Sequence, residues 1–118
     1  MTSAEPAVVA VVRDLFFVAR IKETARLAGV PLVFARTPEE LTARLAGPAR
    51  FVLLDLTAGL DYEALFAAAE TAGAPVLAFT THALAGQTRP WHARCRRVVT
   101  KETLTQELPA LLRDGVAA

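Results

Sequence analysis

The chain has 118 residues, 53% of them hydrophobic, with 13 basic against 12 acidic side chains and a formal net charge of +1. That length suits one domain spanning residues 1–118, and that apolar content excludes a disordered chain. The charge balance excludes a general electrostatic pull toward nucleic acid or anionic lipid.

Short aliphatic runs without alternation mark strands buried on both faces of a parallel sheet. The first is Val8 to Val12, ending at Arg13-Asp14. Asp14 is placed to cap a helix in which Val18, Ile21, Ala25 and Ala28 recur at helical spacing, and Gly29 stops it. Val30 to Ala35 forms a second strand, and Pro31 favours an edge position or the strand's start. Thr37-Pro38-Glu39-Glu40 joins an N-cap, a proline at the first helical position and a capping-box glutamate, which predicts a helix over Glu39 to Ala46.

The third strand, Phe51 to Leu56, carries Asp55 near its end and opens into the loop Thr57-Ala58-Gly59. Asp61 then caps a helix through Ala72 with Leu65, Ala68 and Ala69 inward, terminated by Gly73. Val76 to Thr80 is the fourth strand. From His82 to Arg94 the pattern is broken by Gly86 and Pro90, which leaves one or two short turns. Arg97 to Thr100 is a fifth strand leading into Lys101. The last helix carries Leu104, Leu108, Leu111 and Leu112, with Pro109 inside the pattern predicting a bend or a late start.

Strands alternating with helices predict an α/β fold, a parallel sheet with right-handed crossovers and helices on both faces. Such sheets bind ligands beyond the carboxyl ends of their strands, where Asp14, Asp55, Thr80 and Lys101 all fall. The single Cys95 excludes an internal disulfide and is assigned to a buried apolar site. His82 and His92 lack metal-ligand spacing with Cys95 or a carboxylate. Phe16, Phe17 and Phe79 are assigned to the core, while Trp91, in a polar context after Pro90, is left open as a candidate contact site. Arg89, Arg94, Arg96 and Arg97 are assigned to solvent rather than to a nucleic-acid partner. Met1 to Pro6 lacks the features of a secretion signal, and no apolar run approaches the roughly 18 residues of a membrane span, so a soluble, cytoplasmic protein is expected. No glycine-rich phosphate loop or nucleophile elbow occurs.

With these landmarks in order, the chain resembles the CheY-like receiver domain of bacterial two-component response regulators over essentially its full length. The resemblance rests on an acidic residue after the first strand (Asp14), an aspartate ending the third (Asp55), a hydroxyl ending the fourth (Thr80) and a lysine ending the fifth (Lys101). It implies a flavodoxin-like three-layer sandwich whose five-stranded sheet has the order 2-1-3-4-5. It also implies a stand-alone signalling domain rather than an enzyme, with Asp55 accepting a phosphoryl group from a histidine kinase and output through protein partners. Asp14, Asp55 and the backbone carbonyl of Thr57 would hold Mg²⁺, Lys101 would meet the phosphoryl oxygens, and Thr80 would act as the switch hydroxyl.

Several positions depart from that pattern. Arg13 stands where receivers carry a second acidic residue, which weakens Mg²⁺ binding because a guanidinium repels the ion. Val98 occupies the switch position usually held by an aromatic, and Glu102, in place of proline, is available to pair with Lys101. Two alternatives stay open: a phosphorylation-independent pseudo-receiver locked by an Arg13–Asp55 contact, and a flavodoxin-like ligand-binding domain. Alanine- and leucine-rich helix faces also leave a homodimer open.

Overall fold

A computed structural model describes residues 6–115. Met1 to Glu5, part of the segment read for a secretion signal, lie outside the described residues. The chain alternates β1 (Ala7–Val11), α1 (Leu15–Ala28), β2 (Leu32–Phe34), α2 (Pro38–Arg44), β3 (Ala49–Asp55), α3 (Tyr62–Ala72), β4 (Val76–Thr80), α4 (Ala85–His92), β5 (Arg97–Thr100), α5 (Lys101–Gln106) and α6 (Leu108–Asp114). All strands pair in parallel in the order β2-β1-β3-β4-β5. The α/β fold and strand order expected from the sequence are therefore present.

Successive strand residues point to opposite faces, and the sheet uses both. Val8, Ala10, Leu53, Leu77 and Phe79 join α1, α5 and α6 in one core, where Ile21, Leu104 and Leu108 are fully enclosed. Val9, Val11, Val52, Leu54 and Ala78 join α2 and α3 in the other, around Leu41, Leu65 and Phe66. The carboxyl ends of β1, β3, β4 and β5 consequently open at a single rim.

Helix ends follow their sequence signals with one adjustment. Asp14 Oδ1 accepts the Phe17 N–H, and Gly29 closes α1 with φ of 69°, a conformation that favours a residue without Cβ. Thr37 caps α2 with Pro38 in its first turn, but the Glu40 carboxylate reaches back one residue further than a capping box, to the Arg36 N–H at 2.8 Å. Pro109 splits the last helical segment into α5 and α6, so its missing N–H falls in a first turn where no partner is needed.

The structure differs from the sequence expectations at several places. The segment His82 to Arg94, expected to hold only short turns, contains the eight-residue α4 with Pro90 inside it. Tertiary contacts override its poor helix propensity: Thr88 is buried, and Trp91 stacks on Phe66 with centroids 5.6 Å apart and planes 9° apart. Trp91 is thus half-buried, with one face packed on Phe66. Phe16, assigned to the core, is 91% exposed, because Asp14 starts the helix at a phase that turns Phe17 inward and Phe16 out. The second strand is also shorter than Val30 to Ala35, consistent with its edge position.

Candidate functional site

Asp55 ends β3 and is only 3% exposed, one of three buried polar residues among those described, with Thr80 and Thr88. Its Oδ1 accepts two hydrogen bonds from Thr57, from the backbone N–H at 2.8 Å and the hydroxyl at 2.6 Å. No fully buried side-chain oxygen or nitrogen among the described residues lacks a partner, and Oδ2 has no protein donor there. Oδ2 is therefore the oxygen left facing the rim. The Tyr62 hydroxyl donates to the Asp55 carbonyl oxygen at 2.7 Å and accepts the Ala58 N–H at 3.0 Å. Burial raises the Tyr62 pKa, which keeps this phenol protonated and donating.

Beside Asp55, the loop after β1 supplies Arg13 and Asp14. Asp14 Oδ2 meets Lys101 Nζ at 3.3 Å, an ion pair that joins the ends of β1 and β5 across 87 residues. The Phe17 N–H, and then Lys101, hold the Asp14 carboxyl below its usual pKa. The lysine ammonium also lies 5.2 Å from the Phe17 ring centre. Both charged partners remain partly open to water, so the pair is weak and can exchange Lys101 for another partner. Glu102, expected to compete for Lys101, forms no ion pair among the described residues.

Arg13 corrects a second expectation. Its guanidinium makes no ion pair with Asp55 among the described residues; Nη1 lies 3.5 Å from the Ala58 carbonyl, on the loop that follows β3. The Arg13–Asp55 lock suggested for a pseudo-receiver is absent from this structure. An exposed arginine needs no carboxylate partner, and Asp55 Oδ1 already accepts two hydrogen bonds from Thr57.

Thr80 ends β4, but its hydroxyl is engaged away from the rim. It accepts from the Thr88 hydroxyl of α4 at 3.0 Å, and Thr88 Oγ lies 2.8 Å from His92 Nε2. Val98 on β5 is half-buried against the core of α2 and α3. The rim thus gathers Asp14, Asp55, Thr57 and Lys101 with Arg13 beside them, while Thr80 points into a polar chain toward α4. Thr88 and His92 were missed by sequence reasoning; their four-residue spacing becomes a signal only once the interrupted segment is known to be helical.

Two carboxylates and a carbonyl form the donor set available to a divalent ion. Mg²⁺ often uses one or two carboxylates and fills its octahedron with water, so Asp14, Asp55 and the Thr57 carbonyl fit a weakly held ion beside the Arg13 charge. No cluster of three His, Cys, Asp or Glu side chains occurs among the described residues. Burial pushes the Cys95 thiol up to about 11, so it supplies no thiolate nucleophile at neutral pH.

No protein-family model matches the sequence, and no curated protein matches it. Solved structures do. A response regulator receiver domain protein from Clostridium thermocellum aligns with a TM-score of 0.73 at 13% identity, covering 95% of this chain and 94% of that one. The receiver domain of a sensor histidine kinase from Pseudomonas aeruginosa, crystallised with a magnesium ion in its active site cleft, aligns with a TM-score of 0.76 at 16% identity, covering 98% and 100%. A de novo designed Rossmann 2x3 protein also aligns, with a TM-score of 0.66 at 16% identity and coverage of 96% and 94%. The chain has the CheY-like receiver fold, and a fold by itself does not specify a function. No described helix is long and apolar enough to cross a membrane.

Proposed function

We propose that the chain is an atypical receiver domain of two-component signalling, in which Asp55 accepts a phosphoryl group and passes the event to a protein partner. The observation that carries this reading is the asymmetric Asp55 carboxylate: Oδ1 is fixed by Thr57, while Oδ2 is free at a rim that also holds the Asp14–Lys101 pair. Oδ2 attacks phosphorus, and the bond from phosphorus to the donor's leaving atom breaks with its electrons going to that atom. An acyl phosphate results, and water returns it to carboxylate and inorganic phosphate. The chain acts as an acceptor rather than a turnover catalyst.

Charge that develops on the phosphoryl oxygens needs positive groups positioned to receive it. Lys101 is within reach of that task once it leaves Asp14. Mg²⁺ bound by Asp14, Asp55 and the Thr57 carbonyl would supply further charge neutralisation. Thr57 orients the nucleophile and limits its rotation. Leu15 and Phe16, 81% and 91% exposed immediately after Asp14, supply apolar footing for a protein phosphodonor such as a histidine kinase.

Incubation with acetyl phosphate and Mg²⁺, followed by intact mass measurement, tests this. The wild-type chain is expected to gain one phosphoryl group, and Asp55→Asn to gain none. An unchanged wild-type mass at millimolar Mg²⁺ overturns the phosphoacceptor role. A phosphorylation-independent receiver then becomes the better reading, favoured by the Arg13 charge held over the loop after β3.

A further inference from the structure

Helix α4 is poorly specified by its own sequence. It has no side-chain N-cap, contains Gly86 and carries Pro90 in its interior. Its position is set instead by two routes, one ending at Thr80 on the strand beside Asp55 and the other at Asp55 itself. One is polar: His92 Nε2, the Thr88 hydroxyl and the Thr80 hydroxyl form a chain of contacts at 2.8 and 3.0 Å. Thr80 is the last residue of β4, whose Phe79 pairs in register with Asp55. The other is aromatic: Trp91 stacks on Phe66 and lies 5.7 Å from the Tyr62 ring, whose hydroxyl holds the Asp55 carbonyl oxygen.

The two routes are adjacent on α4, since Thr88 and Trp91 are three residues apart and His92 follows Trp91. Arg94, just beyond, closes the aromatic route from outside. Its guanidinium lies 5.1 Å from the Phe66 ring centre and is held by Glu63 and Glu70 of α3, each at 2.9 Å. Val98, by contrast, has no ring to swing and no polar atom to exchange. A rotation that carries the Thr80 hydroxyl oxygen toward a group on Asp55 lengthens the 3.0 Å bond it accepts from Thr88. Breaking that bond leaves Thr88 only its contacts within α4, to the Ala85 carbonyl at 3.3 Å and His92 Nε2 at 2.8 Å, so the helix loses its one side-chain hydrogen bond to β4 among the described residues.

We propose that Thr88 is a latch on Thr80 and that Trp91, rather than a residue on β5, transmits its release. Thr88 is thus a positioning residue: it acts on the Asp55 site through Thr80 and holds α4 in the resting arrangement. This rests on the phosphoacceptor role of Asp55. Phosphorylation draws Thr80 away, α4 loses its polar anchor, and Trp91 slides on Phe66 and Tyr62.

Trp91 is the only tryptophan in the chain, so its emission reports this stack directly. Wild type, Thr88→Val, Thr88→Ser and Val98→Ala are compared by Trp91 emission, by amide exchange over residues 85–92 and by intact mass, with and without acetyl phosphate and Mg²⁺. In wild type and Val98→Ala, emission is expected to change with the time course of the mass gain. In unmodified Thr88→Val, exchange over 85–92 rises roughly fivefold, the population shift that one buried hydrogen bond sustains. Its emission already matches the phosphorylated state and changes little further. Thr88→Ser keeps a hydroxyl and behaves as wild type, which a purely steric role for the threonine would not produce. A normal mass gain with Thr88→Val indistinguishable from wild type overturns the latch and leaves the phosphoacceptor role standing. Absence of any mass gain in wild type overturns both.

Discussion

Arg13 is the residue that most separates this rim from a strong cation site. The pairing of β1 with β3 ends at Val11 and Leu54, two residues before Arg13 and one before Asp55, and Arg13 reaches the loop that follows Asp55. Its charge is not neutralised by a carboxylate among the described residues, and the single contact at 3.5 Å to Ala58 is at the limit of hydrogen bonding. The Arg13→Asp substitution reverses that charge and creates the adjacent acidic pair that the chain lacks. Mg²⁺ affinity measured by calorimetry is expected to rise at least about tenfold, a modest demand on two changes of unit charge near a divalent ion. Unchanged affinity would remove Arg13 from the factors that set metal binding. The fold itself should be indifferent, because the side chain is exposed and supports no packing.

At the scale of elements, α6 shows how closely a helix end is fitted to the sheet. Gly115 terminates it, donating to the Leu111 carbonyl at 2.7 Å while its own carbonyl accepts from Arg97 at 3.4 Å. A Cβ there would overlap the buried ring of Phe51, whereas one on Gly59 meets no atom within 4 Å. Both Gly115→Ala and Gly59→Ala carry the strain of a positive φ, of order 1–3 kcal/mol, and only Gly115→Ala should add about 1–3 kcal/mol of overpacking against Phe51. Thermal melts that rank the two in the opposite order would contradict the fitted end. The strands and the caps Asp14, Thr37 and Asp61 were legible in the sequence because each is a local signal. Helix α4 was not, because its stability comes from Phe66 and Thr80, residues distant in sequence. The same limit applies at the site. Asp14, Asp55 and Lys101 were legible as strand tips, and the outward phase of Phe16 follows from the Asp14 cap, but the turn of Thr80 toward Thr88 depends on packing that no local spacing encodes.

Considered whole, the molecule is one sheet with a separate core on each face, and the rim exists only because both cores hold the same strands in register. Ile21 on α1 and Leu41 on α2 are both fully buried, in different cores. Neither touches the rim. Ile21→Val is expected to cost about 0.5–1.5 kcal/mol and Leu41→Ala about 2–5 kcal/mol in chemical denaturation. With no shared partners and a sheet between them, the two should add within about 0.5 kcal/mol. Because every central strand contributes side chains to both faces, loss of either core removes the sheet's support, so the double variant should still unfold in one transition with an unchanged denaturant slope. Two separated transitions would mean that the faces fold independently. The rim would then be a junction between two units rather than the end of one, and the Asp14–Lys101 pair beside Phe17 on the α1 face would lose its fixed register with Asp55 once the core around Leu41 melts.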